Sequence, residues 1–180
     1  DTLINNANRN FTEVDYSEYK EIEAHLEDSY KNMSAQLGIK WPCGTRHPKT
    51  MLISSLFAKS GVSGYFGPLF NEVHINHYQL PGDYAFTLAH EKAHQFGIHN
   101  EAEANLAAFV VCTHSTDKRL RYSGYVHILL YFLDDGRHMS DYKTHIKKID
   151  PQVLNDLRYR KKYYDNLRNK TFEGVQEAAN

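Results

Sequence analysis

The stretch from Pro81 to Cys112 constrains the fold more than any other, because it encodes two helices and fixes where the chain must reverse between them. Pro81-Gly82-Asp83 opens a helix, proline being suited to a first turn, and the segment runs through Ala85, Leu88, Ala89 and Ala93 to Phe96. Gly97 then sits where a left-handed residue ends a helix. Asn100 is a good N-cap, and Glu103, three residues on, completes a capping-box pattern before the apolar stretch from Leu106 to Cys112. This second helix reads as buried nearly all round. A chain of 180 residues is the size of one ordinary domain and can bury a core without staples. We therefore expect a single domain over 1–180.

The flanking segments supply the rest of the architecture. From Asp15 to Leu37, Tyr16, Tyr19, Ile22, Leu26, Tyr30, Met33 and Leu37 recur at helical spacing, with Asp15 as N-cap and Gly38 as stop. Trp41-Pro42-Cys43-Gly44 breaks that helix, and Thr50 to Ser54 follows with strand composition. Gly61, Gly64 and Gly67-Pro68 punctuate the chain before Leu69 to Asn76, where Val73 and Ile75 share one face of a half-exposed strand expected at a sheet edge. After the central corner the chain is helical: Lys118 to Leu133, a short piece after Ser140, and a long polar helix begun by Asp150-Pro151. Helix, small mixed sheet and then helices is an α+β order, mainly helical.

Composition excludes several function classes. With 21 Lys and Arg against 22 Asp and Glu, the net charge of -1 creates no field to gather nucleic acid. Cys43 and Cys112 cannot form a disulfide framework, and their spacing fits no cysteine-based zinc module; each reads as a buried thiol, with one bridge as the alternative. No apolar run approaches the roughly 18 residues of a membrane span, and the polar start is not a signal peptide. Eleven histidines are many for this length and hint at metal.

His90-Glu91-Lys92-Ala93-His94 is an H-E-x-x-H pattern on the first helix of the corner. Residues four apart on an α-helix are offset by about 40° and one turn, so both imidazoles can converge on one ion. Glu91 lies about 100° round from His90, aimed at a water beside the ion rather than at the ion. Neutral imidazoles with one position left to water suit catalytic zinc, and a carboxylate there can act as general base. A helix reversing at Gly97 can return a first-turn carboxylate towards His94. Glu101 is the expected third ligand, since Glu103 has a competing task in the capping box. Asn105, one turn beyond Glu101, reads either as an orienting partner for a ligand or as a core amide.

The run His90-Glu91-x-Ala93-His94-Gln95-x-Gly97, then Glu101-x-Glu103-Ala104-Asn105 and Cys112, strongly resembles the bacterial domain-of-unknown-function family 3810. Gly64-Tyr65-Phe66-Gly67-Pro68 with Asn71-Glu72, and Arg121-Tyr122-Ser123-Gly124, look like that family too. The resemblance implies a zincin-like, gluzincin metallopeptidase fold. It also implies anchoring through a membrane segment absent from this chain, in the bacterial cell envelope on the periplasmic side of the inner membrane. The Glu-x-x-Ala-Asn element is similar to those of HtpX-like and ImmA/IrrE-type peptidases, in which the first Glu binds zinc. Lys92 departs from the leucine usual in the family and puts a charge where an apolar residue is expected.

Together these readings predict a zinc metallopeptidase or amide hydrolase acting on a peptide or protein, with Zn2+ on His90, His94 and Glu101 and with Glu91 as base. Substrate is expected beside the strand from Val73 to Ile75. Tyr122, or else Tyr125, is the expected stabiliser of the tetrahedral intermediate, with core packing as the competing reading. His74, His77, His99 and His114 read first as ordinary strand and helix-end histidines, and Cys112 as a small core residue. The rival functional class is a catalytically idle zincin that binds peptide or cell-envelope material.

Overall fold

The computed structural model describes residues 1–41 and 46–178, with side chains as far as 168. Eight α-helices and three short strands appear among the described residues. The helices are Thr2–Asn10 (α1), Tyr19–Met33 (α2), Ser54–Lys59 (α3), Pro81–Gln95 (α4), Glu101–Thr113 (α5), Lys118–Asp135 (α6), Tyr142–Ile146 (α7) and Pro151–Ala178 (α8). The strands are Lys49–Thr50 (β1), Gly64–Gly67 (β2) and Glu72–Ile75 (β3). The expected α+β class is what the chain adopts. None of the helices is long and apolar enough to cross a membrane among the described residues.

Helix α4 is the axis of the fold. Its residues Tyr84, Ala85, Phe86, Leu88, Ala89 and Ala93 are buried on successive faces, because α2, α5, α6 and the sheet all pack against it. Small residues make the α4–α5 corner tight: Ala93 of α4 meets Ala104 and Ala107 of α5 in one fully buried cluster. Gly97 reverses the chain at φ +96°, a conformation that a side chain would strain. The Asn100 side chain accepts the backbone N–H groups of Ala102 and Glu103, as an N-cap should, but Glu103 makes no reciprocal bond. The box is thus half formed. Nor is α5 buried all round, since Leu106 is 61% exposed.

Two further expectations are corrected. Thr50 to Ser54 is not a strand: the last bond to β3 is from the Met51 N–H to the Ile75 carbonyl, Leu52 and Ile53 point to solvent, and Ser54 starts α3 by donating to the Met51 carbonyl. The strand order is β1-β3-β2, with β1 parallel and β2 antiparallel to β3, so the strand from Val73 to Ile75 is central rather than at the edge. Both its neighbours are occupied, and the edge that faces α4 is β2. The polar start is a helix, α1, whose Ile4 and Ala7 pack with Tyr122, Val126 and Leu129 of α6 and Val153 and Leu157 of α8 in a second core. Its apolar residues are too few to announce it.

The predicted Asp15 cap forms with its full capping box to Glu18, over a single 3-10 turn that leads into α2. Helix α2 buries Ile22, Leu26 and Tyr30 against α4, where the Tyr30 hydroxyl donates to the Ala89 carbonyl. Cys112 is buried beside α4, and Cys43 lies outside the described residues.

Candidate metal centre

Helix α4 presents His90 and His94 one turn apart, and the reversal at Gly97 brings Glu101, the first residue of α5, back over them. The His90 and His94 Nε2 atoms are 3.1 Å apart. Glu101 Oε2 lies 3.2 Å from His90 Nε2, and Glu101 Oε1 lies 3.4 Å from His94 Nε2. These three residues form the only group of potential metal donors found among the described residues. Donors bound tetrahedrally at zinc distances of 2.0–2.1 Å stand roughly 3.3 Å from one another. Each of these contacts is of that length, the two carboxylate contacts being made by different oxygens; one donor atom from each residue lies within 4.8 Å of the others, and two imidazole nitrogens with a carboxylate are a donor set that zinc favours.

Surrounding contacts fix the donors. His94 Nδ1 donates to the Ile98 carbonyl at 2.7 Å, which leaves Nε2 as the lone-pair nitrogen facing the group. Asn105 lines the same pocket as His90, whose buried Nδ1 has no hydrogen-bond partner among the described residues. Burial, together with His94, lowers the His90 pKa and favours the neutral, ligating form. Lys92 is 1% exposed and makes an ion pair with Glu27 of α2, while its ammonium also donates to the Arg46 carbonyl at 2.9 Å. The charge that looked out of place therefore anchors the back of α4 to α2.

Glu91 stands apart from the three donors. It is buried, with the Phe66 N–H of β2 near enough to its carboxylate to favour the charged form against burial. Burial, with a contribution from Glu101, pushes its carboxyl up to about 7. The strand can pass this close because residue 64 is glycine: a Cβ there would lie 2.8 Å from Glu91 Cγ and 3.0 Å from Thr87 Cγ2. β2 thus forms a roof over the acid.

A pocket of about 360 Å3 opens in front of these groups, lined by His90, Glu91, Glu101 and Asn105 with Gly61 to Gly64 and, from α6, His127 and Tyr131. Neither of these last two was singled out from the sequence. His127 stacks on Phe86 with ring centroids 3.9 Å apart, and its buried Nδ1 has no partner among the described residues. Burial, helped by the nearby His90, holds its pKa down at about 4, so the ring stays neutral. A histidine interrupting the apolar run Val126 to Leu130 was the signal available.

The other candidates lie elsewhere. Tyr122 is 1% exposed in the second core, its hydroxyl donating to Asp156 Oδ2 at 2.6 Å. It faces away from the donor group because positions 122 and 127 are about 140° apart round α6. Tyr125 packs edge-on against Phe109. His74 stacks on Tyr65, His77 packs edge-on against Tyr78, and His114 bonds the Val110 carbonyl, while His99 and Glu103 are outside the donor group.

Fold and site together define a mainly helical α+β chain with a three-donor corner open to a pocket. Over residues 1–180 it matches the family described as "Protein of unknown function (DUF3810)", and it belongs to that family. No curated protein and no solved structure matches it.

Proposed function

We propose that this chain is a zinc-dependent peptidase or amide hydrolase of the zincin type, with the metal on His90, His94 and Glu101. The observation that carries the reading is the convergence of His90, His94 and Glu101, one donor atom from each lying within 4.8 Å of the others, beside an open pocket. Open access on one side is what separates a catalytic zinc site from a closed structural one. When bound, zinc supplies a Lewis acid that makes water nucleophilic near neutral pH.

The chain's own residues supply the remaining chemistry. Glu91, near the Phe66 N–H, takes the proton of the attacking water and later passes it to the leaving amine. A neutral His127 on the opposite wall can donate an N–H to the oxyanion that develops on the substrate carbonyl, the role first given to Tyr122. Substrate lies along the open edge of β2 rather than beside β3. Ser63 pairs inward, its carbonyl accepting the Asn76 N–H at 2.8 Å. By the alternation of an antiparallel ladder, Gly64 and Phe66 turn their polar groups outward. Phe66 N–H lies near the Glu91 carboxylate, so Gly64 is left to pair with an extended peptide. The same reading carries the cell-envelope location and a membrane anchor outside this chain.

The test combines metal content with one substitution. Purified protein should bind about one zinc, with nitrogen and oxygen but no sulfur in its X-ray absorption shell. Glu91→Gln should keep that zinc and lower kcat on any cleaved peptide by a factor of about 10² to 10⁴ with little change in KM. Wild-type turnover by a zinc-loaded Glu91→Gln protein would remove the mechanism. Zinc binding without hydrolysis of any library would shift the assignment to an idle zincin that binds peptide.

A further inference from the structure

The metal pocket does not end at α6. Gly61, Ser63, Thr87, His127 and Tyr131 line it and also line a second cavity of about 640 Å3, so the two form one cleft. That volume is in the range of ligand sites. From His127 to Asp134, two turns further along α6, is about 10 Å, room for about three extended residues.

The two ends differ in charge. The metal pocket is lined by the two acids Glu91 and Glu101 and by no lysine or arginine. The far cavity has an apolar wall of Leu133, Ile146, Leu154 and Leu157, and beyond it Arg158, Lys161 and Arg168 follow one another along α8. Lys161 and Arg168 share a single carboxylate, Asp165, at 2.8 and 2.7 Å. Arg158 reaches the neutral Asn155 at 3.4 Å. Other cations lining the cavity are neutralised locally, Arg137 by Asp134 at 2.6 Å and Arg160 by Asp83 and Asp156. Among the described residues, three cations on the α8 rim thus face one carboxylate.

We propose that this cavity selects the substrate, taking a peptide whose residues on one side of the scissile amide are apolar and are followed by a carboxylate that reaches the α8 rim. Apolar side chains gain by leaving water against Leu133 and Leu157, and the carboxylate supplies a counter-charge to Arg158, whose described partner is neutral, and to Lys161, which shares Asp165 with Arg168. The proposal rests on the peptidase reading for the word substrate, but the anion-selective cavity does not need the metal.

The test uses the full chain carrying Glu91→Gln, so that bound peptide is not cut. Two dyes report on the cavity: anilinonaphthalene sulfonate, apolar and anionic, and the uncharged N-phenyl-1-naphthylamine. Adding Arg158→Glu and Lys161→Glu should weaken the anionic dye by about five- to tenfold and leave the neutral dye unchanged, with circular dichroism confirming the fold. In the zinc-loaded protein, peptides ending Leu-Leu-Asp should be retained over Leu-Leu-Lys, and the charge reversal should invert that order. Equal loss of both dyes, no preference between the peptides, or a preference for the lysine series would overturn the proposal. If the dyes behave as expected while the protein binds no zinc, the peptidase reading falls and the anion-selective cavity stands.

Discussion

The metal corner and the α8 cavity meet at His127, yet they are built in opposite ways. All three donors of the corner fall between residues 90 and 101, on two helices joined by one tight reversal. The cavity draws its lining from residues as far apart as Ala58 and Arg168. A locally encoded site is set by helix periodicity and one glycine, whereas a distributed one exists only after α6, α7 and α8 have packed. The first can be broken by a single donor atom. The second absorbs single changes and responds to charge summed over several side chains.

The largest effect should therefore come from the corner. Glu101→Gln or His94→Ala removes one of three donors and should cut zinc affinity by more than the 10–100-fold typical of losing a supporting hydrogen bond. Glu103→Gln and Arg158→Glu should bind zinc like the wild type in the same competition titration. If Glu103→Gln is the variant that loses metal, the corner has been assigned the wrong carboxylate.

The same contrast explains what the sequence discloses. The motif, its Gly97 stop and the Asn100 cap lie within a few turns of one another, so helix periodicity and one reversal at Gly97 bring His90, His94 and Glu101 together. Because the capping box is half formed, it gives no ground for Glu101 over Glu103, and of the two grounds for Glu101 the resemblance of the Glu-x-Glu-Ala-Asn element remains. Tyr122 and His127 lie on one helix, and no local rule says which face of it meets the pocket beside the three candidate donors. Only the packing of α1 on one side of α6 and of α4 on another decides that. The pairing of Lys92 with Glu27 joins residues 65 apart in sequence, and the order β1-β3-β2 is likewise a tertiary fact. Both escape a reading made along the chain.

A smaller effect is expected where corner and sheet touch. Gly64→Ala puts a Cβ within 3.0 Å of both Glu91 and Thr87, so the β2 roof must lift or the carboxylate must move. Overpacking of this kind costs about 1–3 kcal/mol, to be read from the shift in a denaturant midpoint. Zinc affinity should stay near wild type, because no donor moves, while turnover falls with the displaced base. A variant with unchanged stability and turnover would mean that β2 does not bear on Glu91.

The smallest effect tests how far the corner depends on its cap. Asn100 satisfies the N–H groups of Ala102 and Glu103 at the start of α5, and Glu101, the first residue of that helix, carries the third donor. Removing an N-cap side chain costs about 1 kcal/mol of stability and frays the first turn. Glu101 is 76% exposed, so little besides the helix start holds it over the two histidines. Asn100→Ala should accordingly lower both the denaturant midpoint and zinc affinity, the latter by about fivefold if the whole of that 1 kcal/mol is felt at the metal. Asn100→Asp or Asn100→Ser, which restore an acceptor in the same place, should recover most of both. The two readouts separate a positioning role from a structural one: stability lost in Asn100→Ala with zinc affinity intact would show that the metal itself, rather than the cap, holds Glu101 in place.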